Sequence, residues 1–205
     1  MLFRSTRFTQ LGLKERMHVV MGHYDEAMIG KLPPEVREGF YSSNTYFMSV
    51  DTPRNRAYKD ALAALPDVSG IWPQGDGELT NFGEGTYICV HAFAKAANRA
   101  GSIDTEAIIP ALEHVTIQAP QGEVMMDAET HHAHVNTYLA RCAHDGHFEI
   151  VESFGRNAPV IPARYRTDMD KAEGVSDDVG GPSAARPLAV SVGRGNDIED
   201  VVFNH

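Results

Sequence analysis

Residues 39–58, GFYSSNTYFMSVDTPRNRAY, decide how the chain folds. From Gly39 to Val50, Tyr and Phe recur among small polar residues, the composition of a strand that then loosens into irregular chain. Thr52-Pro53 reverses the character of the sequence. A threonine hydroxyl accepts from a free N–H of a first helical turn, and proline at the first helical position gives up an N–H that has no partner anyway. A helix is therefore expected from Pro53 to about Leu65. A strand that hands over to a capped helix belongs to an α/β fold, in which helices cover a sheet.

Upstream, Met17 to Gly22 (MHVVMG) is a short apolar run suited to a parallel strand covered on both faces. Asp25 to Lys31 reads as a short helix closed by Pro33 and Pro34, and Phe3 to Leu13 as the tail of a helix, which implies sequence before it. Downstream, Pro66 to Gly77 holds two Pro and three Gly and reads as a loop. Thr80 then opens a helix to about Ala100, with Phe82, Tyr87, Val90, Phe93, Ala94 and Ala97 near helical spacing, and Asp104 caps another that ends near His114. Strands are expected over Gly122–Asp127, Val135–Ala143 and Phe148–Ser153, the last two joined at Asp145-Gly146. The expected architecture is α/β, an open and mostly parallel sheet with helices on both faces and an antiparallel hairpin at the end.

Residues 1–165 form the expected folded part. Residues 166–205 turn to Gly, Asp, Ser and Pro, with large apolar side chains sparse before Val201. Too little burial is available there to offset an ordering entropy of about 1–2 kcal/mol per residue, so this tail is expected to lack a core and to be trimmed first by protease.

With 42% hydrophobic and 22% charged residues the chain has the composition of a globular protein. A formal net charge of -10, with no cluster of Lys and Arg, argues against a nucleic-acid partner. No apolar run approaches the roughly 20 residues that cross a bilayer. Lys14, Glu15 and Arg16 interrupt the place of a secretory leader, so the chain as given is expected to stay in the cytoplasm. Cys89 and Cys142 have no metal or redox spacing.

Four stretches, taken in order, carry a resemblance. They are Phe47-Met48-Ser49-Val50-Asp51-Thr52-Pro53 with Arg56-Ala57-Tyr58; Glu84 to Tyr87 running into the helix that ends Ala97-Asn98-Arg99-Ala100-Gly101; Ala119-Pro120-Gln121-Gly122-Glu123-Val124, followed by Asp127 and His131-His132; and Asp145-Gly146-His147-Phe148-Glu149-Ile150-Val151 with Ala158-Pro159 and Pro162. Together they resemble the amide- and urea-binding branch of the type I periplasmic solute-binding proteins, which includes the amide sensor of amidase operons and the urea and short-chain amide receptors of ABC importers. The resemblance covers Phe8 to Tyr165 and corresponds to the C-terminal half of that family. It implies a two-lobed fold that closes about a hinge, no catalysis, no cofactor, and a first lobe that this chain lacks. Gln118, where the family usually has Asp, and Glu123, where it usually has Pro, bear on ligand specificity rather than on fold.

In an open parallel sheet the ligand crevice lies beyond the carboxyl ends of the strands, next to helix N-termini. Gly22-His23-Tyr24-Asp25-Glu26 is such a strand end, so His23, Tyr24 and Asp25 are candidate ligand contacts. Asp25 has an alternative role as a helix cap, and Tyr24 as packing beneath that helix. Tyr46 is a candidate aromatic wall, with Tyr41 and Phe47 as weaker ones, although aromatics in such a strand are usually core.

His131, His132 and His134, with His144 and His147 nearby, raise a zinc reading and with it a small hydrolase. Adjacent His131 and His132 would point apart in extended chain, and no Cys or helical HExxH accompanies them. Glu84 with Glu123, or Asp127 with Glu129, read as solvated carboxylates rather than an acid/base pair. No metal ligand and no catalytic residue is assigned.

The expected function is capture of urea or a short-chain amide by hinge closure. Delivery to an ABC permease would put the parent protein in the periplasm; release of a transcription antiterminator would make it a cytoplasmic sensor. The chain by itself is expected to bind amides poorly and to self-associate through an inter-lobe face that leaves Tyr46 and Phe47 in water.

Overall fold

The computed structural model describes residues 2–65, 78–113 and 115–161. The chain divides into two compact units, Met1–Pro159 and Val160–His205. The loop expected over 66–77 and the tail expected over 166–205 lie outside the described residues.

In the first unit the elements run α1 (Leu2–Gln10), β1 (Val20–Gly22), α2 (Glu26–Ile29), α3 (Pro34–Arg37), β2 (Tyr41–Asn44), α4 (Pro53–Ala63), α5 (Asn81–Ala100), α6 (Thr105–Leu112), β3 (Thr116–Ala119), β4 (Gly122–Met126), β5 (Ala133–Cys142) and β6 (Phe148–Asn157). Local chemistry sets most helix starts. The Asp25, Thr52, Thr80 and Asp104 side chains accept from Met28, Asn55, Gly83 and Glu106 N–H respectively, each satisfying a donor that the helix leaves open. Gly101 closes α5 in the left-handed conformation at φ 62°.

The strands form one open sheet in the order β1-β2-β5-β4-β3, with β6 also paired to β5. The α/β class and the open sheet are as expected; the expectation of a mostly parallel sheet is corrected. Among the described strands only β1 and β2 run parallel, and every other pairing is antiparallel. The reason is connection length. Helices α2 and α3 give the crossover that parallel neighbours need, while β3 to β6 follow one another through short turns. Strand β1 is also not covered on both faces: it is an edge strand, and Val20 is 51% exposed.

Two hydrophobic clusters share this sheet. The first is built from Ile29, Leu32, Val36, Phe40, Phe47, Val50, Tyr138, Ala140, Cys142 and Phe148, with the Phe47 and Phe148 rings 4.8 Å apart. The second joins α5 and α6 to β3 and β4 through Ala92, Ala96, Ile108, Ala111, Val115, Ile117, Ala119 and Val124. Strand β5 belongs to both: Ala133 and Val135 pack on the second cluster, while Tyr138, Ala140 and Cys142 lie within the first. Cys142 is buried and Cys89 exposed, and both are free thiols.

Candidate functional site

Strands β1 and β2 end side by side at Gly22 and Asn44, with Gly22 opposite Ser43 in the register. The chain leaves β1 through His23, which is exposed and held at φ 65°, a left-handed conformation that few non-glycine residues adopt. Tyr24 follows, half-buried against the first cluster. Ser42 Oγ lies 2.7 Å from the Tyr24 carbonyl and 2.9 Å from that of Met21, its one proton shared between them, so β2 fixes the path of this turn.

Asp25 is fully buried, and both its oxygens are occupied. Oδ1 accepts from Met28 N–H at 3.2 Å, and Oδ2 accepts from Asn81 N–H, the first residue of α5, at 3.0 Å. One carboxylate therefore faces the starts of two helices, where open N–H groups and the helix dipole favour negative charge. Thr45 Oγ1 donates to Asn81 Oδ1 at 2.6 Å and ties the end of β2 to the same point. His23, Tyr24, Thr45 and Asn81 thus surround the place where the ends of β1 and β2 meet the start of α5, with Asp25 beneath them.

Behind these residues, Glu26 Oε1 accepts from Met48 N–H at 2.9 Å, while Oε2 is buried without a hydrogen-bond partner among the described residues. Burial pushes its carboxyl up to about 7, against hydrogen bonds that act the other way. Asn44 Nδ2 is likewise buried without a partner. Tyr46 is fully enclosed, and its hydroxyl donates to Asn55 Oδ1 at 2.9 Å; burial raises its pKa. The expectation that Tyr46 and Phe47 lie in water is overturned, since both are 0% exposed and belong to the interior. Of the four sequence candidates, His23, Tyr24 and Asp25 follow one another beyond the end of β1, the first exposed, the second half-buried and the third buried, while Tyr46 lies in the interior.

A second polar junction was missed as a unit by the sequence reading. The turn between β3 and β4 carries Pro120 and Gln121, and three elements converge on it. Glu84 of α5 accepts from Gln121 N–H (3.2 Å) and from Gln121 Nε2 (3.0 Å); Tyr138 of β5 donates to the Gln121 carbonyl (2.7 Å); Asn136 N–H donates to Gln121 Oε1 (3.0 Å). Thr52, at the start of α4, donates to the Pro120 carbonyl (2.8 Å). Glu84 is fully buried, and desolvation raises its carboxyl to about 7 despite the two donors. Gly122 follows at φ 115°, and a β-carbon there would stand 2.8 Å from Asn136 Nδ2. The signal was present in three of the quoted stretches, but nothing in the sequence says that they meet.

The histidines stand apart. His131 pairs with Glu113 (3.0 Å), His134 with Asp127 (3.2 Å) and His144 with Glu38 (3.1 Å). Among the described residues no group of three or more His, Cys, Asp or Glu side chains converges for a metal. Backbone and side-chain hydrogen bonds from Thr130 hold Asp127 down at about 2, in the turn between β4 and β5.

The described residues thus form an open α/β sheet with helix starts beside the ends of β1 and β2, and two cores joined by one long strand. The Periplasmic binding protein domain family matches residues 1–171, and the chain belongs to that family. Among solved structures it is similar to an amino acid ABC transporter substrate-binding protein from Pseudomonas fluorescens Pf-5, at TM-score 0.65 and 25% identity over 77% of this chain and 42% of that one. It is also similar to a solute binding protein of an ABC transporter from Rhodopseudomonas palustris HaA2, solved with p-hydroxybenzoic acid, at TM-score 0.59 and 23% identity over 74% of this chain and 41% of that one. A curated relative, limonene hydroxylase of Geobacillus stearothermophilus, is 26% identical over 134 residues, 65% of this chain and 23% of its own length. The chain spans less than half the length of these solved relatives. No helix among the described residues is long and apolar enough to cross a membrane.

Proposed function

We propose that the chain provides one side of a two-lobed receptor that captures urea or a short-chain aliphatic amide by hinge closure and serves an ABC permease. The observation that carries this is the state of the crevice. Its carboxylate, Asp25, is already satisfied by two backbone N–H groups, which leaves imidazole, phenol, hydroxyl and carboxamide groups at the rim. These four residues include no Lys or Arg to meet the carboxylate of an amino acid or a benzoate, and their hydrogen-bonding groups suit an uncharged polar solute. In this reading His23 and Tyr24 touch the solute. Asp25 and Tyr46 act from behind, the first by fixing the turn to α5 and the second by holding Asn55. Binding resides in 1–165, with no contribution from 166–205 and no cofactor. Long strand β5, common to both cores, is the natural place for bending.

The test is titration calorimetry on a two-lobed protein, the chain completed with the first lobe of a solved relative, against urea, acetamide, propionamide, leucine and 4-hydroxybenzoate. Amides or urea should bind. His23→Ala and Tyr24→Ala should each weaken binding by about 1–3 kcal/mol, the cost of leaving a buried polar partner unsatisfied, with the melting temperature nearly unchanged. Preferential binding of leucine or 4-hydroxybenzoate would refute the amide assignment while leaving the receptor reading intact. Equal loss of affinity and stability would mean that these two residues are core.

A second use of the same capture event is cytoplasmic amide sensing, with release of a transcription antiterminator in place of delivery to a permease. Co-purification with one partner or the other separates them.

A further inference from the structure

The chain has a formal net charge of -10, yet one groove on its surface has no acidic side chain among the described residues of its wall. The groove, about 530 Å³ in volume, lies where α5 meets β3 and the start of α4. Helix α5 turns His91, Lys95 and Asn98 into it, residues at i, i+4 and i+7 that share one helix face. Arg54 enters from α4 and Gln118 from β3, while Ala94 and Ile117 give an apolar floor. The volume lies in the range of small-molecule sites, and most of the residues lining the wall are polar, which suits a charged ligand over an apolar one.

The cations in this groove are placed differently from the others nearby. Arg56 pairs with Asp51 and Arg156 with Glu123, but Arg54 has no acidic partner among the described residues. Lys95 Nζ donates to the Thr116 carbonyl at 2.8 Å, which holds its ammonium at the groove wall without neutralising it. Glu123 is the neighbouring carboxylate, and it is engaged by Gln118 Nε2 (2.8 Å) as well as by Arg156. His91 is fixed by ring contacts that run inward: its ring lies 4.2 Å from Tyr87, Tyr87 4.9 Å from Tyr58, and Tyr58 6.5 Å from the enclosed Tyr46.

We propose that this groove is a binding site for a small organic anion, separate from the crevice at the ends of β1 and β2. The Arg54 guanidinium and the Lys95 ammonium hold the carboxylate or phosphate group, Arg54 by paired N–H donors. Asn98 presents its carboxamide N–H to its oxygens, and Ala94 and Ile117 support its apolar body. The site does not depend on the solute assigned to the crevice.

The test uses the 205-residue chain in low-salt buffer, with benzoate and inorganic phosphate as probes and benzamide as the uncharged analogue of benzoate. Calorimetry and amide NMR shifts are read together. Benzoate or phosphate should saturate below about 1 mM, the regime of roughly -4 kcal/mol or tighter. It should shift residues 91–98 and 116–118, and benzamide should bind at least tenfold more weakly. Saturation by benzoate alone identifies a carboxylate site, and by phosphate alone a phosphate site. Arg54→Ala and Lys95→Ala should each weaken binding about tenfold, with Arg54→Lys intermediate and melting temperatures unchanged. Failure of both anions to saturate, equal binding of benzamide, or binding indifferent to both alanine substitutions would overturn the proposal.

Discussion

The two hydrophobic clusters of the first unit are built from different side chains. The first is closed by large rings and branched residues, Phe40, Phe47, Phe148, Ile29 and Leu32, all at most 3% exposed. The second is closed largely by alanines, with Ala92, Ala96, Ala111 and Ala119 among its members. Large side chains bury much area each, so the first cluster stabilises its surroundings by itself; alanines bring a helix close to the sheet but remove less apolar surface from water. The helix of the second cluster has apolar surface to spare. Phe82, Cys89, Val90 and Phe93 of α5 are exposed, at 60% for Phe82 and 62% for Val90, and with Thr86 they fall within about 100° of its circumference, counted at 3.6 residues per turn. A helix apolar on two faces is one that larger folds cover on both.

The comparison breaks most visibly at Phe47. Phe47→Ala deletes a ring packed on Phe148 and should cost about 3–5 kcal/mol in urea denaturation. The alanine cluster fails in the opposite sense. Ala96 is 0% exposed, so Ala96→Leu forces a larger side chain between α5 and the sheet and should cost about 1–3 kcal/mol. A neutral Ala96→Leu would mean the second core is loosely packed, and the contrast would collapse.

Two glutamates are buried as well, Glu26 next to the first cluster and Glu84 at the Gln121 junction, and each is raised from 4.5 to about 7 by burial. Between those values the folded state keeps protons that the unfolded chain releases, so their contribution to stability is full below about 4.5 and declines as pH rises through about 7. Asp127, held down at about 2, acts in the opposite sense and only on the acid side of 3.8. The urea midpoint should therefore fall between about pH 5 and pH 8. Glu26→Gln removes one of two similar contributions and should make that fall about half as steep. An unchanged slope would show that Glu26 is charged throughout.

The smallest expected effect on stability is at the outer face of α5. Replacing Phe82, Val90 and Phe93 together by Ser should change unfolding free energy little, within about 0.5 kcal/mol per site, because these side chains are already in water. It should lower the self-associated fraction on sizing chromatography. The self-association expected from the sequence thus moves from Tyr46 and Phe47 to this face. Oligomers that persist in the triple variant would remove α5 from the explanation.

The sequence by itself determined the class of fold and most element starts, because caps, prolines and turn glycines act within a few residues. Thr52-Pro53, Thr80 and Asp104 begin helices where they were expected, and Gly101 ends one. Two short elements escaped, α3 at Pro34–Arg37 and β3 at Thr116–Ala119, since four residues carry no readable period. The strands' direction, the engagement of Asp25 with a helix start 56 residues away, and the burial of Tyr46 were settled only by tertiary structure. Local pattern does not encode which distant N–H reaches a carboxylate, or which face of an aromatic strand receives a neighbour. The stretches that carry the family resemblance meet mostly at the Pro120–Gln121 junction, where they join α4, α5 and β5. That explains why the fold was legible. The ligand was not, because the rim residues His23, Thr45 and Asn81 acquire a common role only when β1, β2 and α5 come together in space.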